Sequence, residues 1–369
     1  MKIVVFGLTI SSSWGNGHAT LWRGLSKALA RQRHDFVFFE RDVPYYAGAR
    51  DMHSLPGGTL VLYPDWESVL PRARLECQEA DAVIVTSYCA DAIAAADQIG
   101  SRTNALRVFY DLDTPITLAQ LANGDQVPYV GPRGLADFDL VLSYTGGAAL
   151  TELRTRLGAR TVAPLYGHVD PDVHRPVAPL AHYRSGLSYL GTYSADRQAA
   201  LQAYFINPSR RRPQQRFLIG GAQYPQQFPW SSNIYFVRHL PPSEHPAFYS
   251  SSRLTLNVTR APMACMGFCP SGRLFEAAAC GVPVLSDSWQ GLDKFYAPGS
   301  EIIVADSEDS AVAALDLSDG ELVRIARAAR ERTLAEHTSE QRAVDLIAAL
   351  EAARSRSEPQ TGQRVPVEA

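Results

Sequence analysis

Lysine is almost missing from this 369-residue chain. Lys2, Lys27 and Lys294 are the only three among 35 basic residues, and the other 32 are Arg. Arg is therefore the default cation, and no single Arg marks a phosphate site by itself. An excess of positive charge is missing too, because 38 acidic groups leave a net charge of −3. A dedicated nucleic-acid binder would carry a basic footprint, so no nucleic-acid partner is expected. The one basic knot, Arg210, Arg211, Arg212 and Arg216, is interrupted by Pro213 and reads as a solvated loop. No window approaches the roughly 18 apolar residues that span a bilayer, and the short apolar run after Lys2 lacks a small-residue cleavage site. Neither an integral membrane segment nor a secretory leader is expected. The five cysteines, Cys77, Cys89, Cys265, Cys269 and Cys280, are odd in number and lie in apolar or helical surroundings. They read as reduced thiols of a cytoplasmic protein. Cys265 and Cys269 have no second pair at zinc spacing, so no metal site is expected.

What is present is alternation. Lys2–Gly7 is a short β-branched and aromatic run ending in Gly, the pattern of a buried parallel strand. From about His18 to Arg33, Leu21, Trp22, Leu25, Ala28 and Leu29 recur at three- and four-residue spacing, which predicts an amphipathic helix. Strand-like runs follow at 36–39, 59–63, 82–86, 106–111, 139–143 and 161–163. A turn-rich break at 166–176 separates them from a second series at 187–190, 216–219, 234–237, 254–257, 282–285 and 301–304. Helices are expected from Glu321 to about Ala353, interrupted near His337-Thr-Ser. The chain thus reads as α/β, with two Rossmann-like doubly wound domains facing a cleft, 1–178 and 179–354, and a disordered tail at 355–369. Ligands of open parallel sheets bind beyond the carboxyl ends of the strands, so the chemistry is expected between the halves.

The densest motif is 270–287, Pro-Ser-Gly-Arg-Leu-Phe-Glu-Ala-Ala-Ala-Cys-Gly-Val-Pro-Val-Leu-Ser-Asp. Its spacing predicts a helix over about 272–280, started by Ser271 and Gly272 and stopped by Gly281. The free N–H groups and positive dipole end at the helix start suit a phosphate, with Arg273 adding charge. Glu276, one turn further in, is placed to accept hydrogen bonds from two vicinal ribose hydroxyls. The competing reading pairs Glu276 with Arg273 on a solvated face.

The Gly272–Ser286 stretch resembles the nucleotide-sugar helix of family-4-like glycosyltransferases with the GT-B fold, and most resembles their CgeB-like (spore-maturation) branch. Residues 165–176 are similar to that family's interdomain linker. Leu190-Gly-Thr-Tyr193 is similar to the first strand-to-loop turn of its nucleotide domain. The resemblance implies that Glu276 binds the ribose, that Gly191, Thr192 and Tyr193 face the diphosphate, and that Gly220 and Gly221 lie near the base. It further implies that Asn257, Thr259 and Arg260 approach the sugar or phosphates. Many members carry a second Glu eight residues before the ribose-binding one, and Phe268 stands there instead. Asp287 and Trp289 are candidates for contact with donor or acceptor, while His168 and His174 are expected to be interdomain contacts.

In the first half, Ser11-Ser-Ser-Trp-Gly-Asn-Gly-His18 joins strand to helix. Its Gly-x-Gly matches a dinucleotide fingerprint poorly, because the third glycine position is Thr20 and the loop is too long for the tight turn. A Gly-His pair here resembles many inverting GT-B enzymes, in which the His takes the acceptor's proton. The candidates are then His18 as base, Asp111 as its orienting carboxylate, and Trp14, Gly15, Asn16 and Gly17 as acceptor-binding residues. Acceptor binding without base action, and a structural role at the helix start, are the alternatives for His18. Asp111-Leu-Asp113-Thr-Pro115 also comes close to the strand end of haloacid-dehalogenase phosphatases, which use magnesium. The expected function is metal-independent, cofactor-free transfer of a sugar, most readily a hexose, from a nucleotide-diphosphate sugar to a glycan, small molecule or protein. The alternatives are a non-catalytic nucleotide-sugar or polysaccharide binder, and a magnesium-dependent phosphatase using Asp111 and Asp113.

Overall fold

Runs of β-branched and aromatic residues without polar interruption form strands here because both faces of each central strand are covered by helices. The computed structural model describes residues 1–102 and 104–357. In the first domain β1 (Lys2–Gly7), β2 (Asp35–Arg41), β3 (Thr59–Tyr63), β4 (Ala82–Thr86), β5 (Leu106–Asp111), β6 (Leu140–Ser143) and β7 (Val162–Pro164) make one sheet in the order β3-β2-β1-β4-β5-β6-β7. In the second, β8 (Leu187–Leu190), β9 (Phe217–Gly221), β10 (Ile234–Arg238), β11 (Thr255–Asn257), β12 (Val284–Asp287) and β13 (Ile303–Ala305) are ordered β10-β9-β8-β11-β12-β13. Every pairing is parallel. In each sheet the first strand is flanked by strands reached in opposite directions, β2 and β4 around β1, and β9 and β11 around β8. That is the switch point where the loops after the strands part and leave a crevice.

The helix expected at 18–33 runs Gly17–Arg31, with Asn16 accepting from the His18 backbone N–H at 3.0 Å. Its apolar face packs Trp22 and Leu25 beneath β1 and β2. Three expectations are corrected. The last helix, Ser339–Ser357, was assigned to the second domain, yet Ala343, Leu346, Leu350 and Ala353 are buried in the core of the first. Arg31 and Gln32 of the Gly17–Arg31 helix and its C-cap bond Glu340 from the other side. Sequence order placed it with its neighbours, but its apolar stripe fits the exposed side of the first sheet. The expected disordered tail at 355–369 is helical over 355–357, and 358–369 lie outside the described residues. The basic knot is also more ordered than a solvated loop: Arg211 pairs with Glu308 and Asp309, Arg212 with Asp316, and Arg216 covers the Tyr235 ring. No helix among the described residues is long and apolar enough to cross a membrane.

The chain crosses between domains twice, at 165–178 and again at 337–339. The crossings are joined by a bridge between Val169 and Thr338 and by a 2.9 Å hydrogen bond between His168 Nδ1 and Ser339 Oγ. His168 is therefore the interdomain contact expected of it.

Candidate functional site

The carboxyl edges of the two sheets face each other across a cleft of about 580 Å³. On the first-domain side its wall is the loop between β1 and the Gly17–Arg31 helix. Glu40, fully buried at the end of β2, shapes that loop by accepting from Thr9 Oγ1, the Ile10 and Ser11 backbone N–H groups, and Ser11 Oγ at 2.6–2.9 Å. The loop so held presents Gly15, Asn16, Gly17 and His18 to the cleft. Trp14 instead reaches across to the second domain and packs against His239, with ring centroids 3.8 Å apart and the planes tilted by 48°.

His18 is placed as expected, but its carboxylate neighbour is not Asp111. His18 Nε2 lies 3.8 Å from Asp113 Oδ2, and Nδ1 has no partner. Burial lowers the imidazole pKa below 6.5, opposed by the Asp113 charge. Asp111 is fully buried behind the cleft wall, accepting from the Asp113 N–H and Thr117 Oγ1 at 3.1 Å each. Loss of solvent pushes its carboxyl up to about 6. It is a structural acid that shapes the turn carrying Asp113. The phosphatase arrangement therefore fails on geometry, since only Asp113 of the two acids opens to the cleft.

The opposite wall is the second domain. The 272–280 helix runs Gly272–Ala279 with Ser271 as N-cap. Arg273 is inserted beneath its first turn rather than extended into the cleft. Its guanidinium donates to the carbonyls of Leu190 (2.7 Å) and Val258 (3.1 Å) and to Ser271 Oγ (3.1 Å), locking the ends of β8 and β11 to the helix start. Gly191 is required for this: a Cβ there would lie 2.9 Å from Arg273 Nη1. At Gly221, φ is +153° and a Cβ would lie 2.0 Å from the Gly191 carbonyl oxygen, so the β9 turn also needs glycine. Gly191, Thr192, Gly221, Thr259, Arg260, Ser271 and Gly272 thus reach the cleft together with Arg273 and Glu276.

Glu276 is not the solvated partner of Arg273. Its side chain is 14% exposed and faces His174 Nε2 at 4.0 Å and His245 Nδ1 at 3.9 Å. Burial raises the carboxyl pKa and pushes both imidazoles down to about 4. At neutral pH the rings are uncharged, so neither contact is an ion pair.

Five expected contacts lie off the cleft wall. Asn257 is buried and donates to Ser286 Oγ at 3.1 Å; Gly220 sits inside β9. Tyr193 packs with Tyr224 and Phe228, and Asp287 is used by Thr259, whose N–H and Oγ1 donate to it. Trp289 is core. Phe268, at the place of the second Glu, has φ +48° and bridges the domains, its carbonyl accepting from the Gly146 N–H at 3.0 Å. His174 is buried beside Glu276 rather than joining the domains directly. Sequence reasoning missed Arg197, which lines the cleft with Arg260 and Arg273 and has an unpartnered Nε, and His245. Asp196-Arg197 directly after the Gly191–Tyr193 turn was the available signal for the first.

Residues 197–348 match a family described as glycosyl transferase-like. No curated protein matches the chain. Among solved structures, sucrose-phosphate synthase from Thermosynechococcus elongatus is similar with a TM-score of 0.68 at 14% identity, over 96% of this chain and 100% of that one. HepE from Anabaena, in complex with UDP-glucose, gives 0.66 at 13% identity, over 95% and 100%. The α,α-trehalose 6-phosphate synthase from Burkholderia multivorans gives 0.61 at 11%, over 97% and 99%. At these identities the likeness is one of fold: two parallel-sheet α/β domains across a cleft, the GT-B arrangement.

Proposed function

We propose that this chain, with its GT-B fold and a glycosyl transferase-like match in its second half, moves a sugar from a nucleotide-diphosphate sugar to an acceptor held by the first domain. The observation that carries the reading is the joint placement, on one cleft, of the Ser271-capped helix start with Glu276 one turn deeper and of His18 beside Asp113. The ribose diol of the donor is assigned to Glu276. The diphosphate is assigned to the Ser271–Gly272 N–H groups and to Arg197 and Arg260, with Arg273 contributing charge from beneath. Fixed dipoles and arginines supply the positive charge, so transfer is proposed to be independent of a metal and of any cofactor. The CgeB-like assignment within the fold rests on the 272–286 and 165–176 motifs. The reduced cysteines favour a cytoplasmic site of action.

In the transfer itself, an acceptor hydroxyl oxygen attacks the anomeric carbon as the bond from that carbon to the diphosphate oxygen breaks. The electron pair leaves on the diphosphate. His18, with Asp113 beside its Nε2, is assigned as the base that takes the hydroxyl proton, a path that inverts the anomeric centre. Closure about the double crossing excludes water from the exchange. UDP-glucose, present in the HepE structure, is the first donor to try. Incubation with UDP-glucose, and with other nucleotide sugars, against a panel of glycan, small-molecule and protein acceptors tests the reading with and without EDTA. Release of nucleoside diphosphate with a glycosylated acceptor, unaffected by EDTA, is expected. Tight donor binding with no turnover on any acceptor would instead favour the binding-protein alternative.

A further inference from the structure

Among the described residues, one group of three potential metal ligands stands together: His174, His245 and Glu276, with their donor atoms all within 4.8 Å of one another. The three come from separate segments, the interdomain linker, the His245–Ser250 helix and the Gly272–Ala279 helix, so their meeting is a product of the tertiary fold. Separations of 3.9 and 4.0 Å from Glu276 Oε2 are too long for hydrogen bonds. His174 is 1% exposed, and neither of its ring nitrogens has a partner; His245 Nδ1 has none either. Buried imidazole nitrogens without partners are costly unless something occupies the space between them.

Two neutral imidazoles and a carboxylate form the donor set of open zinc sites, with the fourth position left to solvent or ligand. Ligand distances of about 2.0–2.2 Å would place the donors about 3.3 Å apart. The longest donor separation, up to 4.8 Å, closes by up to about 1.5 Å to reach this. Glu276 and His245 line the cleft, so the open position faces the space assigned to the nucleotide.

We propose that His174, His245 and Glu276 form an inhibitory site for a divalent transition metal of the zinc class, and that metal and nucleotide exclude one another there. The exclusion rests on the reading of Glu276 as the ribose-binding carboxylate, because the ion takes the oxygen that the diol needs. The metal is a competitor of the donor and has no part in transfer.

The test uses the full chain, stripped with a chelator and titrated with Co2+, with Zn2+ as competitor. One equivalent of Co2+ is expected, with the intense visible bands of a four- or five-coordinate site, displaced by Zn2+. UDP at 100 times its Kd is expected to weaken apparent metal binding about 100-fold. His174→Phe and His245→Phe should each weaken it by about 100-fold or more, beyond what losing an outer partner does. Thermal melts verify folding of each variant, and the UDP competition in the parent protein needs no variant. Absence of a stoichiometric cobalt site, or an unchanged one in folded His174→Phe, overturns the proposal. Simultaneous metal and UDP binding overturns the exclusion. Cobalt binding with no UDP binding leaves the metal site standing and defeats the donor reading; UDP binding without cobalt binding does the reverse.

Discussion

Replacing Glu276 by Gln tests the donor site with two signatures of opposite sign. The carboxylate is buried at the cleft wall, is not spent on Arg273, and touches the imidazoles only beyond hydrogen-bond range. Its accepting capacity is therefore left for the two ribose hydroxyls. A hydrogen bond to a charged group contributes about 1.5–3 kcal/mol net. An amide keeps one acceptor oxygen and loses the charge, so a loss of about 2–3 kcal/mol is expected, raising the Kd for UDP roughly 30- to 150-fold. Isothermal titration with UDP and with 2′-deoxy-UDP reads this directly. The deoxy ligand should cost the parent protein much of the difference and cost the Gln variant little more, because the partner of that hydroxyl is already gone.

Stability should move the other way. Burial raises the Glu276 carboxyl above its ordinary 4.5, so between that value and the folded one the native state holds the proton and the unfolded chain does not. The native state therefore loses stability as pH rises through that window. The Gln variant should melt at or above the parent temperature at pH 7 and lose that advantage by about pH 4, below the unfolded value. Equal UDP affinity in the variant, or the same deoxy penalty in both proteins, would refute the assignment of Glu276 to the ribose.

Three further outcomes follow from the geometry. His18→Ala should lower turnover by about 10²–10⁴-fold with UDP affinity unchanged; the acid limb of the parent kcat/KM profile should lie below pH 6.5, and Asp113→Asn should move it lower still, because the acid's charge opposes the effect of burial on the ring. Arg197→Met should weaken UDP binding at least about tenfold, through loss of a charge-assisted bond, and should raise the melting temperature of the free protein, because burial and the Arg273 charge both disfavour this cation. Leu350→Ala, at a position with no exposure in the first-domain core, should cost about 3 kcal/mol in urea unfolding monitored by far-UV circular dichroism.

Strand positions were readable because a parallel strand buried on both faces needs an apolar run, and residues 3–6, 82–85 and 108–110 supply one inside the strands Lys2–Gly7, Ala82–Thr86 and Leu106–Asp111. The Gly272–Ala279 helix was equally readable from its Ser start, Ala-rich body and Gly stop. What escaped was the side-chain choice among close neighbours and the partners brought in from afar. Asp111 and Asp113 differ by two residues, and only the turn set by Thr117 and the Asp113 N–H decides which faces the cleft. Arg273 reads as a phosphate ligand by position, yet the carbonyls of Leu190 and Val258, 83 and 15 residues away, claim its donors. His245 joins Glu276 from another helix, a meeting that no local spacing encodes. Glu40 was silent for the same reason, since a lone acid at a strand end gives no hint that four donors of residues 9–11 converge on it.

The return of the final helix onto the first domain has a mechanical consequence. A polypeptide that passed between the halves once would let them twist and swing freely. Here two passages lie side by side, fastened at Val169–Thr338 and at His168–Ser339, and they leave a single axle about which the halves turn. His168 also forms part of the cleft wall, so the fastening between the two passages borders the space a ligand would fill.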